Sequence, residues 1–116
     1  MSDLNVEDPT RASQLSPAQM RLLRDWADRL SELFKGDVAY LVGSVLTDPD
    51  YRDVDVRLIL EDETFDNLAD LIDLPRLGAV LSMWGWGQTE RMNIDFQIQR
   101  MTEANTEYEG RRNALI

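Results

Sequence analysis

The stretch that decides the fold is Leu41-Val42-Gly43-Ser44, followed after eight residues by Asp53-Val54-Asp55-Val56-Arg57-Leu58-Ile59-Leu60. In the second segment apolar residues alternate with Asp53, Asp55 and Arg57, which is the pattern of a β-strand with one buried face. Residues two apart on a strand share a face, so the two aspartates should lie side by side, with Cα atoms roughly 7 Å apart. Aspartate is a poor strand former, and two of them in one strand call for a reason.

A later segment of the same kind, Asn93-Ile94-Asp95-Phe96-Gln97-Ile98, can supply a third acid at Asp95. Carboxylates that share a site repel each other, and a divalent cation is the natural compensation. Ligands that are all oxygen favour Mg²⁺ or Mn²⁺ over zinc or copper. The Gly43-Ser44 turn follows an apolar strand, and its free amides can attract phosphate.

The segments around these strands predict the fold class. Ser16, Pro17 and Gln19 have the N-cap, first-turn and capping-box chemistry of a helix start, and helical spacing of apolar residues extends the helix over 17–35. Residues 38–42 form a continuous apolar run that predicts a buried strand. We therefore expect an α/β (α+β) fold, with a small mixed sheet and helices mainly on one face.

The rest of the chain gives weaker patterns. Residues 65–72 predict a second helix that ends near Pro75. The segments 79–86 and 91–99 predict a β-hairpin joined through 87–90, because glycine and polar residues separate two apolar runs. The tail from 102 predicts a short helix.

Length and composition bound the class of protein. The chain has 116 residues, which suits one domain, and we expect it to span 16–116 behind a mobile arm over 1–15. No apolar run approaches the ~20 residues of a membrane helix, and the acidic first ten residues do not resemble a secretory leader. The chain contains no cysteine and no histidine. A cytoplasmic location is therefore expected, and the usual zinc ligands are missing.

The net charge of −10 argues against a dedicated nucleic-acid binder, because phosphate backbones are held by lysine and arginine. Most of the acids should be a solvated surface. An EF-hand starting at Asp48 is excluded, because Arg52 and Ile59 occupy ligand positions and Asp53 replaces the glycine that the loop requires.

Three segments, in this order along the chain, resemble the nucleotidyltransferase superfamily related to DNA polymerase β. They are the strand ending in Gly43-Ser44, the segment Asp53-Val54-Asp55 and the segment Ile94-Asp95-Phe96. More narrowly, the chain is similar to the small bacterial minimal nucleotidyltransferases. The resemblance covers residues 38–99.

The resemblance implies a role for each motif residue. Gly43 and Ser44 would bind the phosphates of an NTP such as ATP. Asp53 and Asp55 would hold the metal ions, and Asp95 would share one metal and activate the incoming hydroxyl. An NMP would pass to a hydroxyl of a small molecule or protein, with loss of pyrophosphate.

Two arginines depart from the pattern. Arg52 replaces the small residue often found before the first aspartate, and Arg57 shares the aspartate face. Both are candidates for binding the nucleotide, but Arg57 could instead pair with Asp55 and neutralise the site without metal. This keeps two alternatives open. One is a catalytically inactive relative that binds a protein partner, as antitoxin-like or regulatory proteins do. The other is an acidic module without a nucleotide site.

Overall fold

The computed structural model describes residues 13–116, in which four α-helices and one 3₁₀ helix surround a four-stranded sheet. The elements in chain order are α1 (Pro17–Leu33), β1 (Ala39–Val42), the 3₁₀ helix (Gly43–Leu46), β2 (Val54–Leu60), α2 (Asp62–Ala69), α3 (Leu74–Gln88), β3 (Ile94–Arg100), α4 (Met101–Tyr108) and β4 (Arg112–Ala114). None of the helices in this part of the chain is long and apolar enough to cross a membrane.

The sheet is mixed, in the strand order β3-β2-β1-β4. β1 runs antiparallel to both β2 and β4, whereas β2 and β3 are parallel. Asp55 on β2 lies opposite Val42 on β1 and opposite Asp95 on β3. The predicted class, α/β with a small mixed sheet, is confirmed, and the end of β1 and the starts of β2 and β3 meet at one end of the sheet.

The core lies between one face of the sheet and helices α1 and α3. The Trp26 ring of α1 meets the ring of Phe96 on β3 edge to face at 5.8 Å, and it meets Trp84 of α3 at 6.2 Å. Alternate residues of β2 and β3 are buried beneath these helices: Val54, Val56, Leu58, Leu60, Ile94, Phe96 and Ile98. α4 lies against the opposite face, where its Tyr108 and Glu107 reach Arg57 and Gln99.

The first helix begins as the sequence predicts. The Ser16 hydroxyl accepts from Gln19 N at 3.1 Å, and the Gln19 side chain accepts from Ser16 N at 2.8 Å. The helix ends at Leu33, two residues before the predicted boundary, because Lys35 and Gly36 have positive φ. The strand predicted over 38–42 is observed at Ala39–Val42.

The predicted hairpin of 79–86 with 91–99 is wrong. Residues 79–86 belong to α3, and the 91–99 segment contributes β3, which pairs in parallel with β2. Asp73 caps α3 by accepting from Arg76 N at 3.2 Å, and Pro75 occupies the first turn, where proline is tolerated. Pro75 therefore opens this helix, while α2 already ends at Ala69.

Two glycines inside α3 let this helix pack closely against its neighbours. A Cβ on Gly78 would lie 3.0 Å from Phe96 O, and one on Gly85 would lie 3.0 Å from the Trp26 ring. Both glycines allow the helix to approach its neighbours closely, although glycine has a low intrinsic helix propensity. The predicted 87–90 connection contains the end of α3, where the buried Thr89 donates to Gly85 O.

The C-terminal end of the chain contains the helix that the sequence predicts, whereas the predicted N-terminal arm is described only in part. The predicted tail helix is confirmed as α4, and the short β4 after it, which no sequence pattern indicated, adds an edge strand beside β1. Residues 1–12 of the predicted arm lie outside the described residues. Of the arm's last three residues, Leu15 is buried and Gln14 N donates to Val45 O at 2.7 Å.

Candidate functional site

Three aspartates converge at the end of the sheet where β2 and β3 begin. Asp53 immediately precedes β2, Asp55 lies on it, and Asp95 lies opposite Asp55 on β3. One carboxylate oxygen from each lies within 4.8 Å of the other two. The parallel pairing of β2 with β3 produces this cluster, because equivalent positions on neighbouring strands project from the same face.

Gly43 leaves the space that Asp55 occupies. The glycine follows β1 with φ +80°, a conformation that L side chains rarely adopt. A Cβ at this position would lie 3.2 Å from Asp55 Cγ and would overlap its Oδ2. The turn therefore touches the carboxylate cluster, as the sequence predicts, and Ser44 is exposed directly beside it.

Arg57 pairs with Asp95 rather than with Asp55. Its Nη2 lies 3.6 Å from Asp95 Oδ2, and its Nη1 donates to the backbone oxygens of Asp95 at 2.7 Å and Val56 at 3.0 Å. Its Nε donates to the Tyr108 hydroxyl at 3.1 Å. The residue is only 7% exposed, so its guanidinium is held inside the protein against the sheet.

The site carries more negative charge than the protein neutralises. Desolvation is the main cause that raises the pKa of Asp55, and the charges of Asp95, Asp53 and Glu107 raise it further, while Arg57 lowers it. Three further acids and one arginine therefore act on Asp55. A cation at the cluster would offset the charges of the neighbouring acids, which add to the effect of desolvation on this pKa.

The residues present fit a hard divalent cation. Mg²⁺ binds oxygen at 2.0–2.1 Å, so two oxygens on one ion lie at most about 4.2 Å apart. The spread of 4.8 Å in the cluster requires only a small contraction. Arg57 meets Asp95 from further along β2, whereas Asp53 lies on the other side of Asp55, so the arginine does not separate the three acids.

Sequence reasoning missed several side chains that hold the acids in place. Asn93 Nδ2 donates to Asp53 Oδ1 at 2.6 Å, and Gln97 Nε2 lies 3.4 Å from Asp95 Oδ1. The period-two pattern did place both on the polar face with Asp95, but their partners depend on the parallel pairing, which the hairpin prediction concealed. Tyr108 reaches the site from α4, and no local pattern could have indicated it.

The remaining candidate, Arg52, lies at the rim of the site. Arg52 is exposed just before Asp53, and its backbone oxygen accepts from Asn93 Nδ2 at 3.5 Å. Gln99, predicted to face away from the core, is buried where its Nε2 donates to Glu107 at 2.9 Å. The structure thus brings Gly43, Asp53, Asp55, Arg57 and Asp95 together and leaves Ser44 and Arg52 exposed beside them.

Comparisons with family models, curated proteins and solved structures gave no match to this chain. Any assignment of function therefore rests on the residues themselves and on the geometry described above.

Proposed function

We propose that this protein is a metal-dependent nucleotidyltransferase that moves an NMP from an NTP to a hydroxyl group. The observation that carries the proposal is the cluster of Asp53, Asp55 and Asp95, whose oxygens lie within 4.8 Å of one another beside the Gly43 turn. Acids that share a site with one arginine are suited to Mg²⁺ or Mn²⁺, and the adjacent backbone is open to phosphate.

Each residue has a role in this proposal. Asp53 and Asp55 hold the cation, with Asp95 as a shared ligand. When bound, the cation supplies positive charge that stabilises the triphosphate and the departing pyrophosphate. Gly43 and Ser44 contact the phosphates through the exposed turn, and Asp95 accepts the proton of the attacking hydroxyl.

The two arginines have different roles in this proposal. Arg57 holds Asp95 through its ion pair and its bond to the Asp95 backbone, so we assign it as a positioning residue that also offsets part of the acidic charge. Arg52 is exposed beside Asp53 and is free to contact phosphate from the solvent side.

Calorimetry with ATP or GTP in the presence of Mg²⁺ tests the proposal. We expect metal-dependent nucleotide binding that is lost when Asp53→Asn and Asp55→Asn are combined. The matched control combines Asp25→Asn with Asp28→Asn, which removes the same charge from two exposed positions of α1. Equal loss in both variants, or binding that persists without metal, would contradict a specific site at the acid cluster.

A second candidate function is a non-catalytic module that binds a protein partner. The exposed side of α3 favours it, because Val80, Met83 and Trp86 are 59%, 73% and 46% exposed, and residues 77–88 carry no charge. Such a module would be indifferent to the Asp53 and Asp55 substitutions. Transfer of label from an NTP to an acceptor, with release of pyrophosphate, separates the enzyme from this alternative.

A further inference from the structure

A groove of about 400 Å³ opens beside the acid cluster, on the outer side of β3. Its walls come from α2, from the first half of α3 and from β3 itself, and one of its lining residues is Asp95. Asp95 therefore belongs both to the acid cluster and to the groove. The volume lies in the range of small-molecule sites.

The shape of the groove is fixed by the way α3 packs on the edge of the sheet. Ser82 of α3 accepts from Phe96 N at 2.8 Å and donates to Gly78 O at 2.8 Å. Gly78 itself approaches Phe96 O so closely that a Cβ would lie 3.0 Å away. Helix and strand are thereby held in contact along the floor of the groove, so the cavity is preformed rather than a gap between loosely attached elements.

The strand order determines on which side of Asp55 the groove lies. Because the strand order is β3-β2-β1-β4, the Gly43 turn lies on one side of Asp55, while Asp95 and then the groove lie on the other. In an in-line displacement, the attacking and leaving oxygens are on opposite sides of the phosphorus. If the phosphates lie at Gly43-Ser44, the attacking hydroxyl must approach from the side of β3.

The lining of the groove indicates what it can hold. Asp95 is the one charged residue among the described residues that line the groove, and the other side chains are apolar or neutral, among them Phe65, Leu74, Pro75, Ala79, Ser82 and Gln97. Among the residues that the structure describes, no lysine or arginine lines the groove to hold a phosphate or a carboxylate, which a polynucleotide acceptor would require. The chemistry favours a neutral ligand with an apolar body and a polar end.

From these observations we infer that the groove is the acceptor site, and that the acceptor is a small neutral alcohol whose hydroxyl meets Asp95 while its apolar body lies between α3 and β3. The inference rests on the proposed nucleotidyl transfer. The alcohol oxygen forms a bond to the α-phosphorus of the NTP, and the bond from that phosphorus to the bridging oxygen breaks. Pyrophosphate leaves with the electron pair, and the hydroxyl proton passes to Asp95.

Binding to the groove can be measured without catalysis, with 2-phenylethanol as the probe and methyl NMR as the readout. We expect the methyl signals of Ala79 and Ile98 to shift on titration of the metal-free protein. Ala79→Phe, which fills the groove from an exposed helix position, should weaken binding at least tenfold, and Ala79→Leu should weaken it less. The control is Val80→Phe at the next exposed position, which does not line the groove and should leave binding unchanged. Shifts centred elsewhere, or equal binding to all four proteins, would overturn the inference.

The orientation of the alcohol is tested with Mn²⁺, whose unpaired electrons broaden nearby proton signals. We expect the protons next to the hydroxyl of 2-phenylethanol to broaden more than the ring protons, and the effect to vanish when Asp53→Asn and Asp55→Asn are combined. Ethylbenzene, which lacks the hydroxyl, should show no such preference. Stronger broadening of the ring end would overturn the assigned direction.

Two further outcomes separate the inference from the function on which it rests. If NTP binds with Mn²⁺ but the alcohol does not enter the groove, the acceptor site is wrong and nucleotidyl transfer stands. If the alcohol enters the groove but no NTP binds at any metal concentration, nucleotidyl transfer is wrong and the acceptor role falls with it. Formation of the NMP ester of 2-phenylethanol that is lost in Ala79→Phe and kept in Val80→Phe would support both.

Discussion

The two faces of β2 are built on opposite principles. On one face Val54, Val56 and Leu58 are buried against α1 and α3, and the strand pairs with β3 through backbone hydrogen bonds. On the other face Asp55 and Arg57 lie among acids, with α4 covering part of the surface. The seven residues of β2 thus contribute to the core of the domain on one face and place Asp55 among other acids on the opposite face.

The comparison shows which face determines the fold and which determines the chemistry. Burial of apolar side chains contributes most of the free energy of folding, whereas like charges held together oppose it. A cluster of acids on a strand would not be expected to stabilise the fold. The loss of stability that the acids cause is understandable if they bind a cation. Substitutions on the apolar face should therefore lower stability, whereas substitutions of the acids should weaken metal binding.

The largest effect is expected on the buried face, at Phe96. The ring is 1% exposed and contacts Trp26 edge to face. Phe96→Ala should lower the free energy of unfolding by about 3–5 kcal/mol, because it removes buried area and leaves a cavity. Its neighbour Gln97 is exposed on the opposite face, and Gln97→Ala should change stability by less than about 0.5 kcal/mol. Urea denaturation of both variants measures the contrast, and similar losses would show that the two faces are not divided as described.

The next effect is expected where the turn touches the acids. Gly43→Ala and Gly36→Ala both place a side chain at positive φ, +80° and +93°, and each should cost about 1–2 kcal/mol for that reason. Gly36 has no atom near its missing Cβ, whereas Gly43 faces the Asp55 carboxylate, so Gly43→Ala should lose about 1–3 kcal/mol more from overpacking.

The two glycine variants also differ in what they predict for the site. Gly43→Ala should weaken Mn²⁺ binding, followed by electron paramagnetic resonance, because Asp55 must move away from Asp53 and Asp95. Gly36→Ala should bind Mn²⁺ as the parent protein does. If both variants lose the same stability and retain the same Mn²⁺ affinity, the close approach of Gly43 to Asp55 has no consequence for the site.

The sequence was sufficient for the features that depend on local pattern. The capping box at Ser16 located α1, and the alternation of β2 placed Asp53 and Asp55 on one face. Asp95 was placed on the polar side of its strand by the same alternation. These patterns depend on neighbours two to four residues apart, which a sequence displays directly.

Features that depend on contacts between distant segments could not be predicted from local sequence patterns. Glycine weakens the helical pattern of residues 78–87, and the contacts of Gly78 with Phe96 and of Gly85 with Trp26 are not visible in the sequence, so the pattern of 79–86 favours a strand. The parallel pairing of β2 with β3, the bond from Arg57 to Tyr108 and the groove beside Asp95 all follow from the placement of α3 and α4. Each joins residues far apart in the chain, and no local spacing encodes them.

A smaller effect is expected inside the polar face, at Tyr108. Burial raises the pKa of Tyr108, so its hydroxyl is neutral at pH 7 and accepts from Arg57 Nε at 3.1 Å. Tyr108→Phe should cost about 1–2 kcal/mol, because a nearly buried guanidinium loses an acceptor. Tyr51→Phe, at a half-buried tyrosine outside this network, is the control and should be close to neutral. Equal stability of the two variants would mean that α4 does not anchor Arg57.

The smallest effect, and the one with a distinctive sign, is the pH dependence caused by Asp55. Desolvation, together with the charges of Asp95, Asp53 and Glu107, raises the pKa of Asp55 above its ordinary value of 3.8. Within the window between the ordinary and the raised pKa, the folded protein binds more protons than the unfolded chain, so the free energy of unfolding falls as the pH rises. Above that window the ionised carboxylate destabilises the metal-free fold.

We therefore expect Asp55→Asn to gain stability relative to the parent protein between about pH 4 and pH 7 in the presence of a chelator. Mg²⁺ should reverse the order at pH 7, because it can stabilise the three acids of the parent protein but has only two in the variant. Urea denaturation at both pH values, with Asp70→Asn as the control at an exposed acid outside the cluster, measures the difference. A variant that loses stability relative to the parent protein as the pH rises would show that Arg57 already compensates Asp55 fully, and no cation would then be needed to account for the two aspartates of β2.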